Sequence, residues 1–241
     1  MAAFPQTRIS AVSETASEDP SLREQAFARL VSAYWKPIYL YVRMRHLKQA
    51  DEAQDLTQGF FTNAWEKRIF RNYDPAKGRF RTYVRVCVDR FVFNQHEADT
   101  RLKRGGAVAH SSLDFESAEA EISQIEIADL NDPERLFERE WTRNLMQAAI
   151  EELRDKLIKT GKESAFKIFE AYDLGDPVGE EISYNALSER LSIPVTTVTN
   201  HLAHARRRLR EIIIRRLRDL SSTNEEFQDD VALIFVRRSS S

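Results

Sequence analysis

The side chains best suited to recognise another molecule by hydrogen bonding lie between residues 195 and 210. Asn200 carries the paired donor and acceptor that bind the edge of an adenine, and His204 offers a donor or an acceptor. The same segment supplies five further candidate contacts: Thr196, Thr197, Thr199, Arg206 and Arg207. Threonine presents a methyl and a hydroxyl group to base edges, and arginine binds phosphates. This chemistry is typical of a helix that reads DNA in the major groove.

Two helices and a short turn would position these side chains. Ser183 is a predicted N-cap, and Ser192-Ile193-Pro194 turns the chain into a second helix that begins near Val195 or Thr196. The inward face of that second helix is predicted to be Val198, Leu202, Ala205 and Leu209. Two helices joined by three or four residues have the geometry of a helix-turn-helix. The alternative is an ordinary helical hairpin whose arginine-rich end is a solvated surface.

A second set of basic, aromatic and amide residues lies further towards the N-terminus. Its members are Arg79, Arg81, Tyr83, Arg85, Asn94, Lys103 and Arg104. Cations hold a nucleic-acid backbone and an aromatic ring accepts an unstacked base, so this set suits single-stranded DNA. The apolar spacing of Phe80, Val84, Cys87, Val88 and Phe91 predicts one buried helix with a basic outer side. Tyr83 fits a plain core position equally well.

An acidic surface precedes this basic one in the sequence. Asp51, Glu52, Asp55 and Gln58 fall on one connected surface of a helix whose apolar face includes Ala53, Leu56, Phe60 and Ala64. Such a surface pairs with a basic protein partner. The alternative is a solvated acidic face without a partner.

The composition fits a helical, globular chain. Hydrophobic residues make up 42% of the 241 residues and charged residues 31%, with only 7 Gly and 7 Pro, which leaves room for two modest domains. Cys87 is the single cysteine and lies in an apolar stretch, so no disulfide framework is expected. The N-terminus lacks the pattern of a signal peptide and no apolar run is long enough to span a membrane. A cytoplasmic protein without a membrane segment is therefore expected.

The net charge of −2 conceals a segregation of charge along the chain. Residues 67–104 carry eleven Lys or Arg against four acids, residues 111–140 carry ten acids against two arginines, and residues 195–220 carry seven arginines against two acids. We expect an all-α fold with two helical domains joined by an acidic flexible linker, the second containing the helix-turn-helix. The predicted segments are a flexible leader (1–20), a first domain (21–104), the acidic linker (105–134), a second domain (135–220) and a C-terminal extension (221–241).

Residues from about 22 to 220 resemble the extracytoplasmic-function class of bacterial sigma factors. Residues 53–61 are similar to the family's polymerase-binding helix, residues 78–84 to the start of its minus-ten helix, and residues 197–210 to its minus-thirty-five recognition helix. The chain also resembles one subgroup of this family in three features: the Asp-Leu-Thr-Gln box at 55–58, the Lys-Arg-Gly-Gly turn at 103–106, and an extension at 226–236. The family's fold is all-helical and it has no catalytic chemistry.

The resemblance implies a factor that binds core RNA polymerase and directs promoter recognition, DNA melting and transcription initiation. Asp51, Glu52, Asp55 and Gln58 would bind the coiled coil of the largest polymerase subunit, and the second domain would bind the flap of the second-largest subunit. The set from Arg79 to Arg104 would contact the minus-ten element, and the set from Thr196 to Arg207 the minus-thirty-five element. The acidic linker would either follow the RNA-exit path of polymerase or serve only as a solubilising tether.

The chain departs from the family in its polymerase-binding helix, where it has Gln54 and Gly59 at positions that are acidic in many members. Phosphorylation of Thr57 or Thr62 by a Ser/Thr kinase would restore negative charge, as the resemblance to the extended subgroup implies. Both threonines fit ordinary helix-surface positions as well, and the remaining acids would then suffice. An inhibitory protein partner is the other regulator that the resemblance implies.

No catalytic constellation is found in the sequence. His96-Glu97 lacks the second histidine of a zinc-protease helix, His201 and His204 lack further ligands at a suitable spacing, and no phosphate-binding glycine loop or nucleophile elbow is present. No enzyme activity, cofactor or metal is predicted. Three hypotheses stand: a sigma factor, a free-standing helix-turn-helix regulator that needs no polymerase, and a helical scaffold or adaptor that binds an acidic protein.

Overall fold

The computed structural model describes residues 10–99, 113–122, 132–175 and 183–236. Within these ranges the chain forms helices and turns and no strand, so the expectation of an all-α fold is confirmed there. The chain divides into two compact units: unit 1 is Met1–Asn144 with Leu217–Ser241, and unit 2 is Leu145–Arg216. None of the helices in the described ranges is both long enough and apolar enough to cross a membrane.

The helices of the first part of the chain are α1 (Ala11–Glu14), α2 (Pro20–Arg45), α3 (Ala50–Glu66), two short 3₁₀ helices (Ile69–Asn72 and Pro75–Lys77), α4 (Phe80–Asp99) and α5 (Phe115–Ile122). They are followed by α6 (Pro133–Lys159), α7 (Glu163–Phe169) with a π-helical turn (Glu170–Leu174), α8 (Tyr184–Leu191), α9 (Val195–Leu220) and α10 (Asn224–Val236).

Aromatic side chains fill the core of unit 1 where α2, α3 and α4 meet. Phe60 of α3 lies 5.9 Å from Phe91 of α4, and Tyr34 of α2 lies 5.7 Å from Phe80, between ring centroids. The five residues predicted as the buried face of α4 are all buried. Edge-to-face pairs of this kind add stability beyond the burial of their apolar area. The periodicity of the sequence therefore identifies the buried face of α4 correctly.

Parts of the predicted leader and linker are helical and packed. In α1, Ala11 and Val12 are buried, and the backbone N–H of Ala11 donates to Asp219 at 3.2 Å. In α5, the ring of Phe115 packs 5.1 Å from Tyr39 of α2 and 5.4 Å from Trp35. The predictions of a leader flexible to residue 20 and of a flexible linker are therefore wrong for these two helices, because each buries apolar side chains against unit 1.

Unit 1 also contains the start of the predicted second domain and the C-terminal extension. Phe137 and Trp141 of α6 are buried, and the ring of Phe137 lies 5.8 Å from Tyr41. In α10, Phe227, Asp230 and Ile234 recur at helical spacing and are buried. Residues 135–144 and 221–236 were assigned to later segments by sequence, but their apolar faces pack within the first unit.

Unit 2 holds the two helices around Ser192. Ser183 caps α8 by accepting a hydrogen bond from the N–H of Ala186 at 3.1 Å, as predicted. Ser192 ends α8 in the left-handed region at φ 53°, and α9 begins at Val195. Val198, Leu202, Ala205 and Leu209 form the buried face of α9, as the spacing predicts. In α8, Leu187 is buried and Leu191 is 40% exposed.

Candidate functional site

The predicted acidic surface is present on α3. Asp51, Glu52 and Asp55 are exposed and Gln58 is half-buried beside them. Asp51, Asp55 and Gln58 follow one another at four- and three-residue spacing, which places them on one side of the helix. Glu52 is held by the ammonium of Lys48 at 2.5 Å. We call these four residues the acidic face of α3.

Thr57 does not lie on that face. It is 0% exposed and its hydroxyl donates to the carbonyl of Ala53 at 2.7 Å, so the prediction of an accessible phosphorylation site at Thr57 is wrong for this conformation. Thr62 is half-buried and its hydroxyl donates to the carbonyl of Gln58 at 3.1 Å. Thr57 lies four residues after buried Ala53 and three before buried Phe60, and this spacing directs it into the core.

Gly59 is explained by packing rather than by a missing acid. A Cβ atom at this position would lie 3.2 Å from Cζ of Phe91, which is tighter than an ordinary van der Waals contact. The absence of a side chain therefore lets α3 approach α4. An acidic residue at 59 would meet the Phe91 ring instead of extending the acidic face of α3.

The predicted single-stranded DNA residues separate onto two sides of α4. Arg81 and Arg85 lie one helical turn apart on one side, whereas Tyr83 and Asn94 belong to the other. Lys103 and Arg104 lie outside the described residues. These residues were predicted to form one set that binds a single strand. The helical periodicity of α4 instead places them on two different sides of the helix.

The side with Arg81 is closed by ion pairs. Arg81 is 1% exposed and donates to both carboxylate oxygens of Asp230, at 2.7 and 2.8 Å, with its guanidinium 4.0 Å from the centroid of the Trp141 ring. Burial acts to lower the pKa of Arg81, but the hydrogen bonds with Asp230 outweigh it and raise the pKa above its ordinary value. Arg85 pairs with Glu134 at 3.0 Å. The prediction of Arg81 as an exposed DNA contact is therefore wrong in this conformation.

The other side of α4 borders an open cleft of about 580 Å³. We call it the α4 cleft; its lining residues are Asn63, Lys67, Ile69, Asn72, Tyr83, Cys87, Arg90, Phe91, Asn94 and Gln95. The lining includes four side-chain amides and two cations (Lys67 and Arg90), together with apolar side chains such as Ile69 and Phe91. The volume lies within the range of about 300–1,000 Å³ that is usual for small-molecule sites.

Tyr83 is anchored at the edge of this cleft. Its hydroxyl donates to the carbonyl of Ile69 at 2.7 Å, and its ring also lines a neighbouring depression of about 340 Å³ with Arg90 and Tyr73. Burial and the Cys87 thiol raise the pKa of Tyr83, so the ring carries no charge at neutral pH. An uncharged, fixed aromatic ring beside a cation is suited to contact a base.

Sequence reasoning missed most residues of the α4 cleft. Arg90 was not among the predicted DNA contacts, although Tyr83, Cys87, Arg90 and Asn94 follow at four-, three- and four-residue spacing and form one stripe. That spacing is a signal that the sequence contains. Asn63, Lys67 and Asn72 join the cleft only through the packing of α3 and the 3₁₀ helix against α4, which no local pattern reveals.

The outward side of α9 presents the predicted base-reading residues of unit 2. Thr196 and Asn200 are exposed, Thr197, Thr199 and His204 are half-buried, and Arg207 is exposed. Partial burial and the cations of Lys162 and Arg207 lower the pKa of His204 below its usual value. The ring is neutral at pH 7 and offers one donor and one acceptor.

Arg206 is held inside unit 2 by an ion pair. Its Nε and Nη2 atoms donate to the two carboxylate oxygens of Asp173 at 2.9 and 2.7 Å, and its guanidinium lies 5.5 Å from the centroid of the Tyr172 ring. The Tyr172 ring stacks on Tyr184 of α8 at 4.7 Å. Arg206 therefore braces the start of α8 against α9, and a phosphate contact would compete with Asp173.

Glu152 joins α6 to α9 within unit 2. It pairs with Lys156 at 2.7 Å, with Arg216 at 3.1 Å and with Arg215. Burial opposes ionisation of Glu152, but the hydrogen bonds from Lys156 and Arg215 outweigh it and lower the pKa to about 2. Ionised Glu152 therefore stabilises the packing of α9, the helix that carries the outward polar residues.

We expect Glu152→Gln to lower the free energy of unfolding by about 1 kcal/mol at pH 7, the upper end for partly exposed ion pairs. Because the folded pKa lies below the unfolded value of about 4.3, this contribution is present above that value and is lost as the pH falls towards 2. Urea unfolding followed by circular dichroism, at pH 7 and near pH 2, measures both. Glu151→Gln, an adjacent exposed change, is the control. An equal effect of Glu152→Gln at both pH values would contradict the assignment.

Neither protein-family models, nor curated proteins, nor solved structures gave a match to this chain. Within the described ranges, no three histidine, cysteine or carboxylate side chains are grouped to hold a metal ion.

Proposed function

We propose that this protein is a sigma factor of the extracytoplasmic-function class, which binds core RNA polymerase and directs promoter recognition and DNA melting. The observation that supports it most is the α4 cleft, which lies in the same unit as the acidic face of α3. A sigma factor needs both a surface for polymerase and a surface for an opened strand. A free-standing helix-turn-helix regulator needs only unit 2 and gives the α4 cleft no role.

The α4 cleft has the chemistry for an unstacked base and its phosphates. The amides of Asn72, Asn94 and Gln95 offer donors and acceptors to a base edge, while Lys67 and Arg90 attract the backbone. Removing a base from the stack costs a few kcal/mol, which such contacts must offset. In this proposal Tyr83, Arg90 and Asn94 replace Arg81 as the residues that hold the minus-ten strand.

Unit 2 would read the minus-thirty-five element as a helix-turn-helix. The turn at residues 192–194 connects α8 to α9, and the first turns of α9 present Thr196 and Asn200 to solvent. Base-reading residues lie near the N-terminus of a recognition helix, and phosphate contacts follow. Arg207 has the position for a phosphate contact. The flap of the second-largest polymerase subunit remains the proposed protein partner of unit 2.

Control by a Ser/Thr kinase is proposed only through Thr62. Thr62 follows Gln58 by one turn and so lies at the end of the acidic face of α3. A phosphate there would add roughly −1.5 to −2 charges to this face. An inhibitory partner that covers the same face is the alternative regulator.

The test is co-purification of the tagged protein with core RNA polymerase. A sigma factor retains the polymerase subunits through washes at moderate salt, and the complex then binds promoter DNA. A free-standing regulator binds duplex DNA without polymerase, and an adaptor retains an acidic protein instead. Absence of polymerase from the eluate, with specific duplex binding by the protein alone, would contradict the proposal.

The outward side of α9 yields a prediction about promoter choice. Asn200→Ala is expected to reduce discrimination at one base pair by about 1–3 kcal/mol, because a paired donor and acceptor to that base is lost. Arg207→Ala should weaken binding to all sequences alike and reduce the salt slope by about 1. Selection of bound sites from a randomised DNA library measures both. An unchanged site preference in Asn200→Ala would contradict the register of α9 on DNA.

A further inference from the structure

We propose that α10 is an acidic cover that blocks the basic N-terminal end of α4 against polyanions. The inference rests on the proposed function only for naming DNA as the polyanion. The carboxylates of α10 occupy the arginines that a nucleic-acid backbone would otherwise contact. The C-terminal extension is thereby given a role that the sequence did not assign.

Two adjacent carboxylates of α10 hold the two arginines at the start of α4. Asp229 accepts a hydrogen bond from Arg79 at 2.5 Å, and Asp230 accepts one from each terminal nitrogen of Arg81, at 2.7 and 2.8 Å. Asp230 also lies 3.7 Å from Arg79. A carboxylate that accepts two parallel N–H bonds imitates the contact of a phosphate with arginine.

The helix N-terminus of α4 is occupied in the same way. The backbone N–H of Phe80 donates to Glu226 at 3.3 Å, and the same carboxylate accepts from the N–H and hydroxyl of Ser222 at 2.9 and 2.7 Å. Free N–H groups at a helix start form a ready site for phosphate. Glu226 fills that position with a carboxylate from the chain itself.

The remaining arginine on this side is covered by α6. Arg85 pairs with Glu134 at 3.0 Å, and Glu138 accepts from Nε of Arg81 at 2.8 Å. Three arginines therefore face Glu134, Glu138, Asp229 and Asp230, and the local charge no longer attracts a polyanion. If α10 leaves, Arg79 loses Asp229 and Arg81 loses Asp230, while the contacts to α6 persist. The positive charge is then restored at the N-terminal end of α4, where Arg79 lines the same depression as Tyr83.

The apolar contacts of α10 set the strength of the cover. Phe227 and Ile234 are buried, and the guanidinium of Arg218 lies 4.1 Å from the centroid of the Phe227 ring. Asp229, by contrast, has 53% of its side chain exposed. Neutralising Asp229 therefore weakens the charge complementarity of the cover without disturbing its buried residues.

The experiment measures binding of a fluorescent oligothymidine of about 20 nucleotides by anisotropy, between about 50 and 200 mM salt. The full chain, Asp229→Asn and the control Glu225→Gln are compared, with a truncated chain that ends at residue 222 as a fourth sample. Glu225 is exposed and lies one turn before Asp229 in α10, so the control removes the same charge. Circular dichroism reports whether each variant retains its helices.

Asp229→Asn is expected to bind about two- to fivefold more tightly than the full chain, and Glu225→Gln within about twofold of it. The truncated chain should bind about tenfold more tightly, with a steeper salt dependence. Equal binding by Asp229→Asn and Glu225→Gln would overturn the proposal even if the truncated chain fails to fold, and so would no binding by any variant. Polymerase co-purification is scored separately, so its failure overturns the sigma assignment and leaves this result standing.

Discussion

Replacing Arg81 with alanine is expected to lower the free energy of unfolding by about 3–5 kcal/mol, the cost of breaking a buried ion pair from one side. Asp230 is left as a carboxylate with 2% of its side chain exposed and without its bidentate partner, while Arg79 stays 3.7 Å away. The stacking of the guanidinium on Trp141 is lost as well. Urea unfolding followed by circular dichroism provides the measurement.

Arg79→Ala is the matched control for this prediction. Arg79 pairs with Asp229, but both side chains are about half exposed, so its removal should cost less than about 1 kcal/mol. The double variant Arg81→Met, Asp230→Leu should recover most of the stability, because removing both buried charges is often neutral. A cost for Arg81→Ala no larger than that for Arg79→Ala would contradict the buried clamp.

Reversing the charge of Asp55 is expected to weaken binding to core RNA polymerase by about tenfold or more while the fold is retained. Asp55 is exposed at the centre of the acidic face of α3, between Asp51 and Gln58. Arginine at this position would set like charges against each other at a basic partner surface, which costs several kcal/mol in well-formed interfaces. The affinity of labelled protein for core polymerase measures the effect.

The control for Asp55→Arg is Glu24→Arg, an equal reversal at an exposed residue of α2. Circular dichroism should show unchanged helicity in both variants, since neither side chain is buried. Equal polymerase affinity in the two variants would remove the acidic face of α3 from the proposed interface. A loss of helicity in Asp55→Arg alone would instead contradict its exposed position.

The elements that sequence reasoning identified are those determined by local spacing. The buried stripe of α9 follows from four apolar residues beginning at Val198. Ser183 is the cap of α8 because its small hydroxyl comes directly before the first residue of that helix. The same rule, applied more strictly, places Thr57 in the core. Tyr83 and Arg90 likewise share a side of α4 by their spacing of seven residues. These two features were available in the sequence.

Other features depend on contacts between distant parts of the chain. Asp230 is 149 residues from Arg81, so no window of sequence shows that this arginine is neutralised. Gly59 was interpreted as a position that lacks an acidic side chain. In the structure, glycine is explained by the ring of Phe91, which leaves little room for a Cβ atom. The helix α5 docks through Phe115 and through Glu119, which accepts from Arg43 at 2.5 Å. Each of these contacts requires the tertiary arrangement of unit 1.

The measurement that tests the central claim most directly is promoter opening by core RNA polymerase in the presence of this protein. DNA fragments retained by the complex of protein and polymerase are selected, and permanganate then detects unpaired thymines in them. The proposal predicts reactive thymines only when protein and polymerase are both present, and fewer of them with Tyr83→Ala, which should still bind polymerase. Selection of the same fragments by the protein alone, with no reactive thymines after polymerase is added, would contradict it.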